Sequence, residues 1–160
     1  MTGKHEAFMA RAIALSEQTS LIDKAGAPFG AVIAQEGKIL AEGANRAFAE
    51  TDPTWHAEME AIRNACRVAG TLQLPSATLY ASGEPCPMCL AAAGWAGIRE
   101  IYYASGVDDI LRYGGFGDSG FDGEVKIGSG ENSIAFHRIM QAEAVEVWKK
   151  FQGKRSAPSK

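Results

Sequence analysis

The sequence predicts an α/β fold with one mixed sheet, in the element order αββαβαβ. Three observations predict it. Short β-prone runs alternate with segments of helical periodicity. Two of those runs are joined by a two-residue turn. The 160 residues hold no internal repeat and no composition break, so one domain spanning 1–160 is expected.

Each element has a local cause. Residues 5–21 carry Phe8, Ala12, Ile13 and Leu15 near helical spacing, and Gly26-Ala27-Pro28 ends that region. Phe29 to Ala34 and Lys38 to Gly43 are strands, with Glu36-Gly37 as the tight turn between them. Asp52-Pro53-Thr54 starts a helix, with Thr54 as the expected cap, and Gly70 stops it. Ala77 to Ala81 is a strand. Ser82 to Pro85 turns the chain into a second helix, about 87 to 96, whose Pro87 suits the first position with Cys86 as its cap. Glu100 to Ala104 is another strand. From 105 to 133 glycine recurs, as Gly106, Gly114, Gly115, Gly117, Gly120 and beyond, which predicts a long functional loop or lid. Ile134 to Met140 reads as extended, Ala142 to Phe151 as helix, and 153–160 as a flexible tail.

Composition narrows the class. Lys and Arg total 16 against 19 Asp and Glu, a net charge of −3, and no basic stripe runs through the chain, so nucleic-acid binding is not expected. Lys149, Lys150, Lys154 and Arg155 read as a solvated helix end. No apolar run approaches the ~20 residues of a membrane span, and no apolar leader follows Met1. Three cysteines make no disulfide framework and point to a reducing compartment, so a cytoplasmic protein is expected.

The chemistry is carried by His56-Ala57-Glu58 and Pro85-Cys86-Pro87-Met88-Cys89. One imidazole and two thiolates are three ligands for Zn2+, which prefers four and so keeps a position open for water. The metal brings that water's pKa towards ~7. Glu58 is the free carboxylate that can move protons between water and leaving group. Both motifs fall where helices begin, and unpaired N–H groups there favour thiolates. His56 and Glu58 diverge by about 200° on a regular helix, which suits two tasks. Cys66 lies about 15 Å further along that helix, too far to share an ion with His56, and reads as a core residue. A structural zinc site would want a fourth side-chain ligand and has no use for Glu58. His5 and His137 have no partner pattern.

His-x-Glu with Pro-Cys-x-x-Cys is the signature of zinc nucleobase deaminases. With Gly-Ala-Val-Ile from Gly30, Ala-Glu-Gly-x-Asn ending at Asn45, Asp52-Pro-Thr-x-His-Ala-Glu, Thr78-Leu-Tyr-Ala-Ser, Trp95-Ala and Gly115-Phe116-x-Asp118-Ser119, residues 27 to about 121 resemble the cytidine/deoxycytidylate deaminase superfamily. Within it they are most similar to bacterial guanine deaminases. The resemblance implies a three-layer α/β/α cytidine deaminase-like fold with zinc between two helix N-termini. It also implies a homodimer, with C-terminal elements exchanged between subunits. It implies a free purine base as substrate, guanine going to xanthine and ammonia. It assigns His56, Cys86 and Cys89 to the metal and Glu58 to proton transfer. Asn45 and Asp118 would hydrogen-bond the base, Phe29 and Trp95 would wall its pocket, and backbone near Ala57 would orient the reacting centre.

The pattern departs from guanine deaminases at Gly83, where they carry cysteine, and at Trp55, where alanine is expected. The segment 156–160 also lacks a tyrosine to close the pocket, leaving Glu143 or Trp148 as substitutes. Alternatives are a tRNA adenosine deaminase and a deaminase of ammeline, isoguanine or cytosine. An inert zinc module is a further alternative, against which Glu58 argues. Leu90-Ala-Ala-Ala-Gly-Trp-Ala after the second cysteine differs from the Ala-Gly-Ala-Met-Val-His-Ser-Arg type of the tRNA enzymes.

Overall fold

The computed structural model describes residues 2–115 and 133–156. Helix α1 (Thr2–Glu17) runs into a π-helical turn (Gln18–Ile22), and strands β1 (Gly30–Gln35) and β2 (Lys38–Ala44) follow. After them come α2 (Ala47–Glu50), α3 (Ala57–Ala69), β3 (Thr78–Gly83), α4 (Pro87–Trp95), β4 (Glu100–Ser105), α5 (Val107–Gly114), β5 (Ala135–Arg138) and α6 (Gln141–Ser156). The sheet order is β2-β1-β3-β4-β5. Strand β1 is antiparallel to both neighbours, and β3, β4 and β5 are parallel, so β1 alone runs against the other four. The sheet is mixed, as expected.

Alternation along the strands makes the layers. Ala31, Ile33, Leu79 and Ile101 face α3 and α4 in one core, with Ala57, Ala61, Ala65 and Ala93. Val32, Ala34, Tyr80 and Ala104 face α1 and α6 in the other, with Met9, Ala12, Ala144 and Val147. Alanine dominates the helix sides of both cores, which lets helices lie close to the sheet. The β1–β2 turn has positive φ at both Glu36 and Gly37, the geometry that matches the twist of a two-residue hairpin.

Three expectations are corrected. Residues 107–114 form a helix, not loop. Asp109 Oδ2 accepts the Gly106 N–H at 3.0 Å, Asp108 and Asp109 lie in the first turn, and Gly115 ends the helix with φ 64°. The remaining Gly-rich residues, 116–132, lie outside the described residues. Helix α6 runs to Ser156, so the expected tail begins no earlier than 157. Its last turn is tied down where Lys154 Nζ donates to Leu21 O at 3.0 Å and Arg155 Nη1 to Gly114 O at 2.7 Å. Short α2 was not expected. Among the described residues no helix is long and apolar enough to cross a membrane.

Because β1 is reversed, β2, β3 and β4 all end on one edge of the sheet. The N-termini of α3 and α4 open there. Gly43 fixes how closely α3 approaches. A Cβ on it would fall 2.2 Å from Ala57 O and 2.5 Å from Ala61 N, both backbone atoms. Gly43→Ala should therefore push the start of α3 off the sheet, costing about 1–3 kcal/mol. Thermal unfolding of the purified variant checks it, and an unchanged midpoint would refute the tight seat.

Candidate active site

His56 is the N-cap residue of α3 and Cys86 that of α4, both with extended backbone (φ −78°, ψ 155° and φ −72°, ψ 167°). Thr54 is not the cap expected for α3. Its N–H and hydroxyl both donate to Asp52 Oδ1 at 2.8 Å, which closes the preceding turn instead. Pro87 stands at the first position of α4.

The two caps bring three soft donors together. Cys86 Sγ lies 3.5 Å from His56 Nδ1, Cys89 Sγ lies 3.6 Å from the same atom, and the sulfurs are 3.7 Å apart. Bonds of ~2.3 Å to sulfur and ~2.0 Å to nitrogen at tetrahedral angles require donor separations of about 3.8 and 3.6 Å. The triangle therefore has the size of one face of a zinc tetrahedron. Among the described residues His56, Cys86 and Cys89 are the group able to hold a metal ion. Cys66 is not part of it and packs against the core, as expected.

Glu58 enters from the second position of α3 and is 4% exposed. Cys89 Sγ donates to its Oε2 at 3.4 Å. Burial pushes the Glu58 carboxyl up, opposed by its own N–H and by His56. Cys86 is lowered to about 4, chiefly by its hydrogen bond with Cys89, with help from His56. Cys89 is pushed up by that same bond and by burial. The two shifts oppose each other across the sulfur–sulfur contact, and a bound dication would favour thiolates at both.

Asn45 is buried at the end of β2. Its N–H donates to Phe29 O at 3.0 Å and its carbonyl accepts from Thr19 Oγ1 at 2.6 Å. Its Oδ1 accepts the Ala47 N–H at 3.1 Å, which orients the amide; no described residue bonds its Nδ2. Gly26 makes this seat possible, since a Cβ there would meet Asn45 Oδ1 at 2.1 Å. Phe29 lies over Gly83, where a Cβ would come within 2.6 Å of its ring, and Trp148 packs edge-on behind it at 5.1 Å. Gly83 is thus the space that Phe29 fills, which accounts for glycine at this departure.

Other expected residues are not gathered. Trp95 ends α4 at its far end and is 86% exposed, so within one chain it walls no pocket at the His56 cluster. Trp148 is buried and donates to Ser105 Oγ, supporting Phe29 from behind rather than covering the site, while Glu143 is exposed. Asp118 lies outside the described residues. Thr19, Gly26 and Glu60, whose contacts place Asn45 and His56, were not singled out from sequence, because each acts through partners distant along the chain.

A mixed sheet with His-x-Glu and Pro-Cys-x-x-Cys at adjoining helix N-termini is the arrangement of a hydrolytic nucleobase deaminase. The model of the cytidine and deoxycytidylate deaminase zinc-binding region matches residues 2–105, and the chain belongs to that family. It is 40% identical over 154 residues to guanine deaminase of Bacillus subtilis (strain 168), covering 94% of this chain and 97% of that one. The solved structure of the Bacillus subtilis guanine deaminase superposes with a TM-score of 0.71 at 40% identity, covering 98% of this chain and 96% of that one. A tRNA-specific adenosine deaminase of Agrobacterium fabrum (strain C58) is 42% identical over 93 residues, but this spans 58% of this chain and 61% of that protein. The chain is a guanine deaminase homologue and a hydrolytic aminohydrolase.

The paired thiols make a direct prediction. In metal-free protein Cys86 should alkylate with iodoacetamide at a rate level through neutral pH and falling as pH drops through about 4. An ordinary thiol would instead gain rate as pH rises towards ~8.5, and that profile, read by peptide mapping, would refute the lowered Cys86 thiol.

Proposed function

We propose that the protein is a zinc-dependent guanine deaminase that converts guanine and water to xanthine and ammonia. The observation that carries the reading is the 40% identity to a guanine deaminase along 94% of the chain. Similarity to the tRNA enzyme extends over 58% only. The net charge of −3 also favours a small neutral base over RNA. His56 Nδ1, Cys86 Sγ and Cys89 Sγ would hold Zn2+, which fits their spacing. When bound, the metal supplies Lewis acidity that makes a water nucleophilic near neutral pH.

The chain's own residues do the rest. Glu58 accepts a proton from the attacking water as its oxygen bonds to C2 of the base. It passes that proton to the adjacent ring nitrogen, giving a tetrahedral carbon. It then carries the remaining hydroxyl proton to the amine, which leaves as ammonia while the C2 carbonyl forms. Burial suits Glu58 to both roles, since a carboxyl pushed upward readily holds a proton between steps. Asn45 Nδ2, the amide end not occupied by Ala47, would donate to an acceptor of the purine edge such as O6 or N7. Phe29 would form an aromatic wall, and the backbone at Ala57 would line the floor. Asp118 would be a second base-reading group.

The chain would work as one domain, and as a homodimer. Exposed Trp95 and Leu72 are apolar surface suited to a subunit contact, through which Trp95 would wall the neighbouring pocket, and exchange of C-terminal elements between copies would require α6 to leave its own sheet. The cytoplasm would keep Cys86 and Cys89 reduced for the metal.

Glu58→Ala should retain zinc and lose about 10²–10⁴ in kcat. Cys86→Ala should instead lose the metal, read by elemental analysis. Ammonia release is followed with guanine, isoguanine, ammeline, adenine, cytosine and a tRNA anticodon stem-loop. Turnover of the stem-loop alone would overturn the free-base reading in favour of a tRNA adenosine deaminase. Asn45→Asp replaces the donor by an acceptor while keeping the Ala47 bond, and should raise KM for guanine about tenfold or more. An unchanged KM would remove Asn45 from base reading.

A further inference from the structure

We infer that Glu60 is a positioning residue that holds Asn45 and His56 in one frame, so that base reading and metal holding are set by the same carboxylate. The inference rests on the roles proposed above for those two residues. Glu60 stands at the fourth position of α3, one turn beyond His56. Its two carboxylate oxygens have different partners. Oε2 accepts the Ala44 N–H at 2.7 Å, at the end of β2. Oε1 accepts the Trp55 indole Nε1–H at 3.2 Å. Ala44 directly precedes Asn45, and Trp55 directly precedes His56.

Backbone bonds close the frame. The Glu60 N–H donates to His56 O at 3.0 Å. The Arg46 N–H, on the other side of Asn45, donates to Trp55 O at 3.1 Å. Asn45 is therefore held on both flanks, by Glu60 through Ala44 and by Trp55 through Arg46. His56 is held on both flanks as well, by Trp55 before it and by Glu60 one turn later. Two arginines nearby could have claimed the carboxylate. Arg46 pairs with Glu50 at 2.8 Å instead, and the Arg63 guanidinium lies over the Trp55 ring at 6.0 Å. Glu60 makes no ion pair among the described residues, and both its oxygens serve neutral N–H groups.

This gives the Trp55 departure a purpose. An alanine at that position would offer no side-chain donor, and the carboxylate would hold only the strand. With the indole present, the half-buried carboxylate joins strand end and helix cap. A hydrogen bond to a charged acceptor is stronger than one between neutral groups, so the joint is a stiff one.

The test uses full-length zinc-loaded protein and three variants: Glu60→Ala, Glu60→Gln and Trp55→Phe. Steady-state kinetics with guanine give KM and kcat, and competition with a chromophoric chelator gives zinc affinity. Glu60→Ala should raise KM about tenfold, more than it lowers kcat, and weaken zinc binding at least several-fold. Glu60→Gln keeps one acceptor and should recover part of the KM. Trp55→Phe cuts only the arm next to His56, so it should weaken zinc binding while KM stays within about twofold of the parent. KM and zinc affinity equal to the parent in folded Glu60→Ala would overturn the inference, whatever the unfolding temperature. If Glu60→Ala does not fold, the opposed behaviour of Glu60→Gln and Trp55→Phe decides, and identical losses in both would overturn it. If guanine is not turned over, the proposed function fails separately, while the zinc competition still reads the His56 arm.

Discussion

Two helix N-termini held a few ångströms apart are the constraint on which the rest depends. Cys86 and Cys89 sit 3.7 Å apart on one helical turn, but His56 Nδ1, 30 and 33 positions distant in the chain, reaches within 3.5 and 3.6 Å of them by tertiary packing alone. The reversal of β1 places the ends of β2, β3 and β4 on one edge, and the alanine-lined faces of α3 and α4 let both helices reach it. Small side chains at the helix–sheet contact are the structural requirement. Gly43 is its extreme case, with helix backbone where a methyl group would have to be. Tight packing here serves placement as much as stability, because a donor triangle opened by one ångström would no longer match a metal's bond lengths.

Electrostatics at that point suit a cation held by His56, Cys86 and Cys89. A carboxylate buried beside two thiolates would be a concentration of negative charge, and the N–H ends of two helices lie against it. A bound dication would turn that mutual repulsion into attraction. The same burial that makes Glu58 costly without a metal keeps bulk water away from the proton it would carry. The arrangement of charge and the proposed chemistry therefore ask for the same environment.

Local signals in the sequence located what local physics decides. Pro87 and Cys86 mark the start of α4 as expected, Gly70 ends α3 with a left-handed conformation, and Glu36-Gly37 makes the hairpin. Errors arose where two readings of one residue compete. Thr54 is a good cap former, yet Asp52 claims both its donors, and His56 takes the cap. Gly106, Gly114 and Gly115 suggest a loop, but Gly106 and Gly115 cap a helix that carries glycine only at its last residue, Gly114. The metal-type triad was legible because its residue types are rare together. The seat of Asn45 was not, since Thr19, Gly26 and Glu60 are ordinary residues until the fold brings them to it. Trp95 was assigned to the pocket by resemblance, and within one chain it lies at the wrong end of α4.

The chain continues beyond the part that carries the chemistry. The family match ends at residue 105, after both motifs, Glu58 and Asn45. The elements that follow, α5 and α6, supply Ile110, Tyr113, Trp148 and Phe151, which cluster with Leu21 and Ala27 behind Phe29. Asp109 locks this second part to the sheet edge by accepting from Arg138 and Gln141 as well as from Gly106. Phe29, inside the matched region, is thus backed from outside it, while the donors of the site come from inside it. The likeness to a guanine deaminase persists across both parts, whereas that to the tRNA enzyme spans 58% of the chain. For this reason the length of a resemblance, more than its local identity, bears on what the pocket accepts.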